Sequence, residues 1–182
     1  MHTRDIEYRA DGARLVGQYV VDDGKPGKRA GVLVCHEGPG LTEHTKKIAA
    51  RLAGLGYAAF AMDYHGDGKP LANLADARPR IAAWIADPTG IRARATAALD
   101  VLKSQNEVDA TRLAAIGYCF GGTTSLELGR AGWTSRPSSA SIPVSPPRGR
   151  RMLPTSRARC WSASAPTIPS SRPSSASTSK RR

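Results

Sequence analysis

Apolar residues recur in regular rhythms up to about position 132, and beyond it the rhythm is lost. Ile6 to Arg9 and Leu15 to Val21 flank Asp11-Gly12, which predicts a short hairpin. A polar loop, Asp22 to Lys28, leads into Ala30 to Cys35, a continuous apolar run of the kind found in strands buried on both faces. Thr42 is placed to cap a helix running to about Leu55, with Ile48, Leu52 and Leu55 on one face and Gly56 as its stop. Tyr57 to Met62 predicts a second buried strand. Leu71 to Trp84 is less regular and ends at Asp87-Pro88. Thr89 to Gln105 repeats at helical spacing, with Ile91, Ala95, Ala98, Leu99 and Leu102 on the buried side. Arg112 to Tyr118 is a third buried strand, and a helical pattern returns from Thr123 to Arg130.

Strands alternating with helices imply a layered α/β domain: a parallel sheet with right-handed crossovers, flanking helices and an N-terminal hairpin. Ligands of such sheets bind at the carboxyl ends of the strands. Three polar clusters fall there: His36-Glu37-Gly38, Asp63-Tyr64-His65 and Cys119.

The third strand ends in Gly117-Tyr118-Cys119-Phe120-Gly121, a Gly-x-Cys-x-Gly pentad between strand and helix. This is the layout of a nucleophile elbow, which holds a reactive side chain at the apex of a sharp turn. A Cβ at Gly117 or Gly121 would collide with the neighbouring strand or helix. Cys119 would sit at a helix N-terminus, where the backbone dipole favours a thiolate. The pentad alone is equally compatible with a tight turn around a buried cysteine.

Composition divides the chain. The net charge of +12 would ordinarily point to nucleic acid or an anionic membrane. Residues 1–132, however, hold 17 Lys/Arg against all 15 Asp/Glu, a net of +2. Residues 133–182 hold 10 Lys/Arg, no acid, 14 Ser and 8 of the 13 Pro. The basicity belongs to the tail, whose charges form no stripe and carry few aromatics, so no specific nucleic-acid partner is expected. No apolar run is long enough to span a bilayer, and the charged N-terminus is unlike a signal peptide. Cys35, Cys119 and Cys160 are an odd set without a Cys-x-x-Cys pair, so neither a disulfide framework nor a zinc site is indicated and a cytoplasmic home is expected.

Three segments together resemble the dienelactone hydrolase family of α/β-hydrolases: Val32 to Gly40, Leu55 to Tyr64, and Gly117 to Gly122. The resemblance covers residues 5–131 and implies a partial α/β-hydrolase fold over residues 1–131. It implies hydrolysis of a small-molecule ester or lactone through a thioester acyl-enzyme, with no metal or organic cofactor. Cys119 resembles the family nucleophile, and Glu37 the carboxylate that contacts and helps activate the thiol. The backbone N–H groups of Phe120 and Gly38 resemble the oxyanion hole, in which each preorganised donor is worth ~3 kcal/mol.

Apart from the resemblance, Glu37 would be read as a helix-capping or solvated residue, and His36 as packing at a strand end. His65 and Asp67 would be turn and rim residues, Asp63 structural and Cys35 an inert buried thiol. Arg78, Arg80 and Arg92 would be surface charges rather than anchors for an anionic group.

The family's histidine base and its orienting acid both follow the elbow. Here His2, His36, His44 and His65 all precede Cys119, and no acid follows Glu127. Residues 132–182 read as a basic Ser/Pro/Arg-rich non-native tail, expected to be disordered. Shifting that tail back by one base forces Asp at Trp133-Thr134, and free codon choice then permits a strand, a helix, a strand and Gly-Ala-Asp-Asp-Pro, which resembles the family's acid-bearing loop. The expectation is a frameshift near Gly132 that removes the rest of the triad and leaves the chain inactive. Two rivals remain at this point: a basic-tailed non-catalytic binding protein, and a thiol enzyme using Cys119 with Glu37 alone.

Overall fold

The computed structural model describes residues 1–133. The elements run β1 (His2–Ala10), β2 (Ala13–Val21), β3 (Arg29–Cys35), α1 (Glu43–Gly54), β4 (Ala58–Ala61), α2 (Leu74–Ala86), α3 (Thr89–Lys103), β5 (Val108–Gly117) and α4 (Phe120–Arg130). The tail from 134 onward, on which the frameshift and disorder expectations fall, lies outside the described residues.

The strand order is β1-β2-β4-β3-β5. Only β4-β3-β5 is parallel; β1 and β2 pair antiparallel, and β2 pairs antiparallel with β4. The sheet is therefore mixed, because the hairpin joins it instead of standing apart. The turn between β1 and β2 has φ of 50° at Asp11 and 68° at Gly12. Both residues are left-handed, as a two-residue hairpin turn requires to match the strand twist.

Period-two alternation divides the core into two layers. Leu33 and Cys35 of β3 and Ala58 and Phe60 of β4 face α3 and α4, together with Leu15, Tyr19, Leu99, Leu102 and Leu128. Val32 and Val34, with Ala59 and Ala61, face α1 through Ala49 and Ala53. In α3 the buried set is Ile91, Ala95, Ala98, Leu99 and Leu102, as its spacing predicts.

Three expectations need correction. In α1 the buried residues are Thr45, Ala49 and Ala53; Ile48 and Leu52 are only partly buried, and Leu55 is 68% exposed. Gly56 does stop this helix, its N–H bonding Ala53 O while Tyr57 N–H reaches Leu52 O. The stretch from Leu71 to Trp84 is not irregular: it contains most of α2, capped by Asn73 Oδ1 on the Asp76 N–H at 3.0 Å and continuous through Pro79. β5 begins at Val108; its register on β3 steps from Ala30↔Asp109 to Gly31↔Leu113, leaving exposed Ala110, Thr111 and Arg112 as an excursion.

Candidate active site

The carboxyl ends of β3, β4 and β5 converge as expected. Cys119 follows β5 and immediately precedes α4, with φ 54° and ψ −124°. A non-glycine residue held there is strained, and it persists only where the surroundings over-determine it. They do so through the glycines. A Cβ on Gly117 would meet the backbone of α4, lying 2.8 Å from Gly122 N; one on Gly121 would meet the end of β3, 2.6 Å from His36 O. Strand, turn and helix thus touch backbone to backbone, and Cys119 is left exposed at the apex.

The β3–β5 register ends at Cys35↔Gly117, so Glu37 and Cys119 each lie two residues past the end of one of two neighbouring parallel strands. Glu37 is partly buried and does not cap α1; Thr42 occupies the N-cap position, without a side-chain bond. Among the described residues no hydrogen bond joins the Glu37 carboxylate to the Cys119 thiol. Phe120 is the first residue of α4, where an N–H has no intrahelical acceptor. The N–H of Gly38 likewise donates to no group among the described residues. Among the described residues, two backbone donors are thus left without a partner, one just past the end of β3 and one at the start of α4.

Under the elbow lies an aromatic cluster that sequence reading did not assemble. His36 stacks on Tyr64 at 3.5 Å between ring centroids, and Tyr64 meets Trp84 and Phe120 edge-on, each at 5.6 Å. Trp84 stacks on Phe120 at 5.9 Å and lies against His65 at 5.5 Å. Trp84 comes from α2, and Ile81 and Leu74 of the same helix face Gly38. The signal for this helix was present: Ala77, Ile81 and Trp84 are spaced i, i+4, i+7 behind an Asn cap.

His36 is buried at the strand end, as expected. Its Nδ1 lies 2.7 Å from Glu37 O, and its Nε2 lies 3.3 Å from the Tyr64 amide nitrogen. These partners assign the proton to Nδ1 and leave Nε2 as acceptor. Burial pushes its pKa down to about 3. His65 is not a rim residue: it is buried, with Nε2 2.7 Å from Gly38 O, and burial lowers its pKa as well. Burial keeps Tyr64 protonated, reinforced by the nearby Cys35, Cys119 and Glu37.

Asp63 is structural, accepting from the backbone N–H groups of Val16, His65, Gly66 and Gly68 at 2.9–3.2 Å. Cys35 is buried, its thiol pushed up to about 12 by desolvation. Arg92 pairs with Glu127 at 2.6 Å. Arg80 donates to His65 O at 3.2 Å, and Arg78 stays exposed. Among the described residues, no group of His, Cys, Asp and Glu side chains is arranged to hold a metal ion, and no helix is long and apolar enough to cross a membrane.

A mixed sheet flanked by helices, with a strained residue between glycines at a strand-to-helix turn, is a partial α/β-hydrolase fold. The dienelactone hydrolase family model matches residues 16–136, and the chain belongs to that family. A structure named m3DLH is 47% identical with a TM-score of 0.70, matching 78% of this chain and 57% of its own. A dienelactone hydrolase-like promiscuous phosphotriesterase from metagenomic libraries is 45% identical with a TM-score of 0.69, matching 72% of this chain and 54% of its own. A Methylorubrum extorquens protein provisionally named carboxymethylenebutenolidase is 32% identical over 94 residues, which are 50% of this chain and 32% of that protein. The chain thus spans a little over half the length of the two solved structures and a third of the curated relative.

Proposed function

We propose that this chain carries the nucleophile half of an ester or lactone hydrolase. The Cys119 sulfur attacks the acyl carbon, and the N–H groups of Phe120 and Gly38 receive the developing oxyanion. Collapse expels the alcohol oxygen and leaves a thioester on Cys119. Glu37, two residues past the end of β3, is the carboxylate that contacts the thiol and helps activate it when substrate arrives. The observation that carries this reading is the backbone of Cys119, held at φ 54° by contacts on both sides of the turn. The family's name and that of the Methylorubrum extorquens relative support a lactone or carboxylic ester as the substrate class.

The second half of the reaction needs a base to activate water. His36 has both ring nitrogens bound to backbone, and His65 has Nε2 on Gly38 O and Nδ1 buried. Neither is hydrogen-bonded to Cys119, which supports a chain that acylates but does not turn over. Absence of a general base alone slows a reaction by about 10²–10⁴. The test is p-nitrophenyl acetate with the full chain. The expected result is at most one equivalent of p-nitrophenolate, lost in Cys119→Ala, with steady turnover no faster than in that variant. Many turnovers abolished by Cys119→Ala would show that this chain is a complete enzyme.

A further inference from the structure

We propose that His36 and Tyr64 are positioning residues that aim the Gly38 N–H, gripping the Glu37–Gly38 peptide by its carbonyl. The inference rests on the oxyanion-hole reading above and extends it to two side chains that do not touch substrate.

The backbone from 36 to 39 has every carbonyl bound. The Tyr64 hydroxyl lies 2.6 Å from His36 O and 2.9 Å from Glu37 O, its single proton shared between them. Glu37 O also faces His36 Nδ1 at 2.7 Å and accepts from Gly40 N–H at 3.1 Å. Gly38 O faces His65 Nε2 at 2.7 Å, and Pro39 O accepts from Leu71 N–H at 2.7 Å.

In a planar trans peptide the N–H points opposite to the C=O. With Glu37 O drawn down onto the His36–Tyr64 stack, the Gly38 N–H is turned the other way, out of the aromatic cluster. Three donors on one oxygen are more than a turn needs; the Gly40 N–H alone would close it. The two extra donors fix the peptide's rotation. Tyr64 also packs edge-on against Phe120, whose N–H is the other proposed donor. One side chain thus registers both halves of the hole.

Acylation and alkylation of the same sulfur separate this role from general folding. Acyl transfer passes through an oxyanion, whereas displacement of iodide from iodoacetamide does not. The rates of both reactions at Cys119 are measured by peptide mass on the full chain and its variants. Removing an oxyanion donor outright costs about 10²–10³, so misaiming one should slow p-nitrophenyl acetate acylation about 10-fold or more in Tyr64→Phe and His36→Leu, with alkylation within about twofold of wild type. His36→Asn restores a donor near the Nδ1 position and should recover most of the loss. An unchanged acylation-to-alkylation ratio overturns the inference, as does an equal fall in both rates. Alkylation of wild-type Cys119 without any acylation would overturn the nucleophile reading and this inference with it; acylation with an unmoved ratio would overturn this inference alone.

Discussion

Two glycines eight residues apart, one beside the elbow and one near the far end of the helix that follows it, offer a matched test of how the apex is held. Gly121 and Gly129 both lie in α4, and both change to alanine by one methyl group. At Gly121 the new Cβ would fall on the end of β3, 2.6 Å from His36 O and 2.8 Å from the Cys35 carbonyl carbon. Neither is the tip of a side chain that could swing aside. Relief requires moving α4 off β3, which strips contacts from Phe120 and the aromatic cluster. Overpacking typically costs 1–3 kcal/mol, and a clash with backbone belongs at the top of that range, so about 3 kcal/mol is expected. At Gly129 nothing lies within 4 Å of the new Cβ, and φ is not left-handed. There alanine restricts only the unfolded chain and should stabilise by about 0.5–1 kcal/mol. The two variants should therefore differ by about 4 kcal/mol with opposite signs, or about 2 M in urea midpoint for a slope near 2 kcal/mol/M. The assay is urea unfolding followed by tryptophan fluorescence, with iodoacetamide labelling of Cys119 beside it. Gly121→Ala should also change the labelling rate, whereas Gly129→Ala should not. Loss of any cooperative transition in Gly121→Ala agrees with the reasoning. A midpoint within about 0.3 M of wild type would refute the backbone contact, because a shift that small corresponds to well under 1 kcal/mol.

Two further outcomes follow from buried groups. The folded-state pKa of His36 lies at about 3, below its unfolded value, so the unfolded chain takes up a proton that the folded chain refuses. Its stability contribution is intact above pH 6.5 and falls toward pH 3 by about 1.4 kcal/mol per pH unit; urea midpoints between pH 7 and 4 should decline less steeply in His36→Asn, and parallel slopes would contradict the assignment. Asp63→Asn replaces one of two acceptor oxygens with an amino group facing the N–H groups of Val16, His65, Gly66 and Gly68. Leaving donors unmatched should destabilise by about 2–3 kcal/mol and expose the 65–68 turn to faster amide exchange; unchanged exchange there would count against Asp63 as the tie.

What was legible in the sequence followed the size of the signal each element carries. β3 and α3 announce themselves because their buried sets are large, apolar and regular. α1 shows where counting large residues misleads. It packs closely on Val32, Val34, Ala59 and Ala61, and closeness selects small side chains, so Thr45, Ala49 and Ala53 are buried while Leu55 points into solvent. α2 is hard to read in sequence because Pro79 argues against a helix interior while the Asn73 cap and the 77-81-84 spacing argue for one. The elbow was legible because its chemistry is backbone chemistry: a strained apex needs glycines at fixed offsets, and fixed offsets survive in sequence. His65 is hard to read for the opposite reason. Its loop is rich in glycine and looks like a rim, but Asp63 folds that loop inward through bonds to N–H groups that every sequence possesses. The same holds for the grip on Glu37 O. A histidine and a tyrosine 28 residues apart become partners only when β3 and β4 run parallel with their ends level. Sequence therefore displays the strained cysteine of the elbow more readily than the side chains that grip the carbonyls beside it, because the first is a local constraint and the second is a consequence of register.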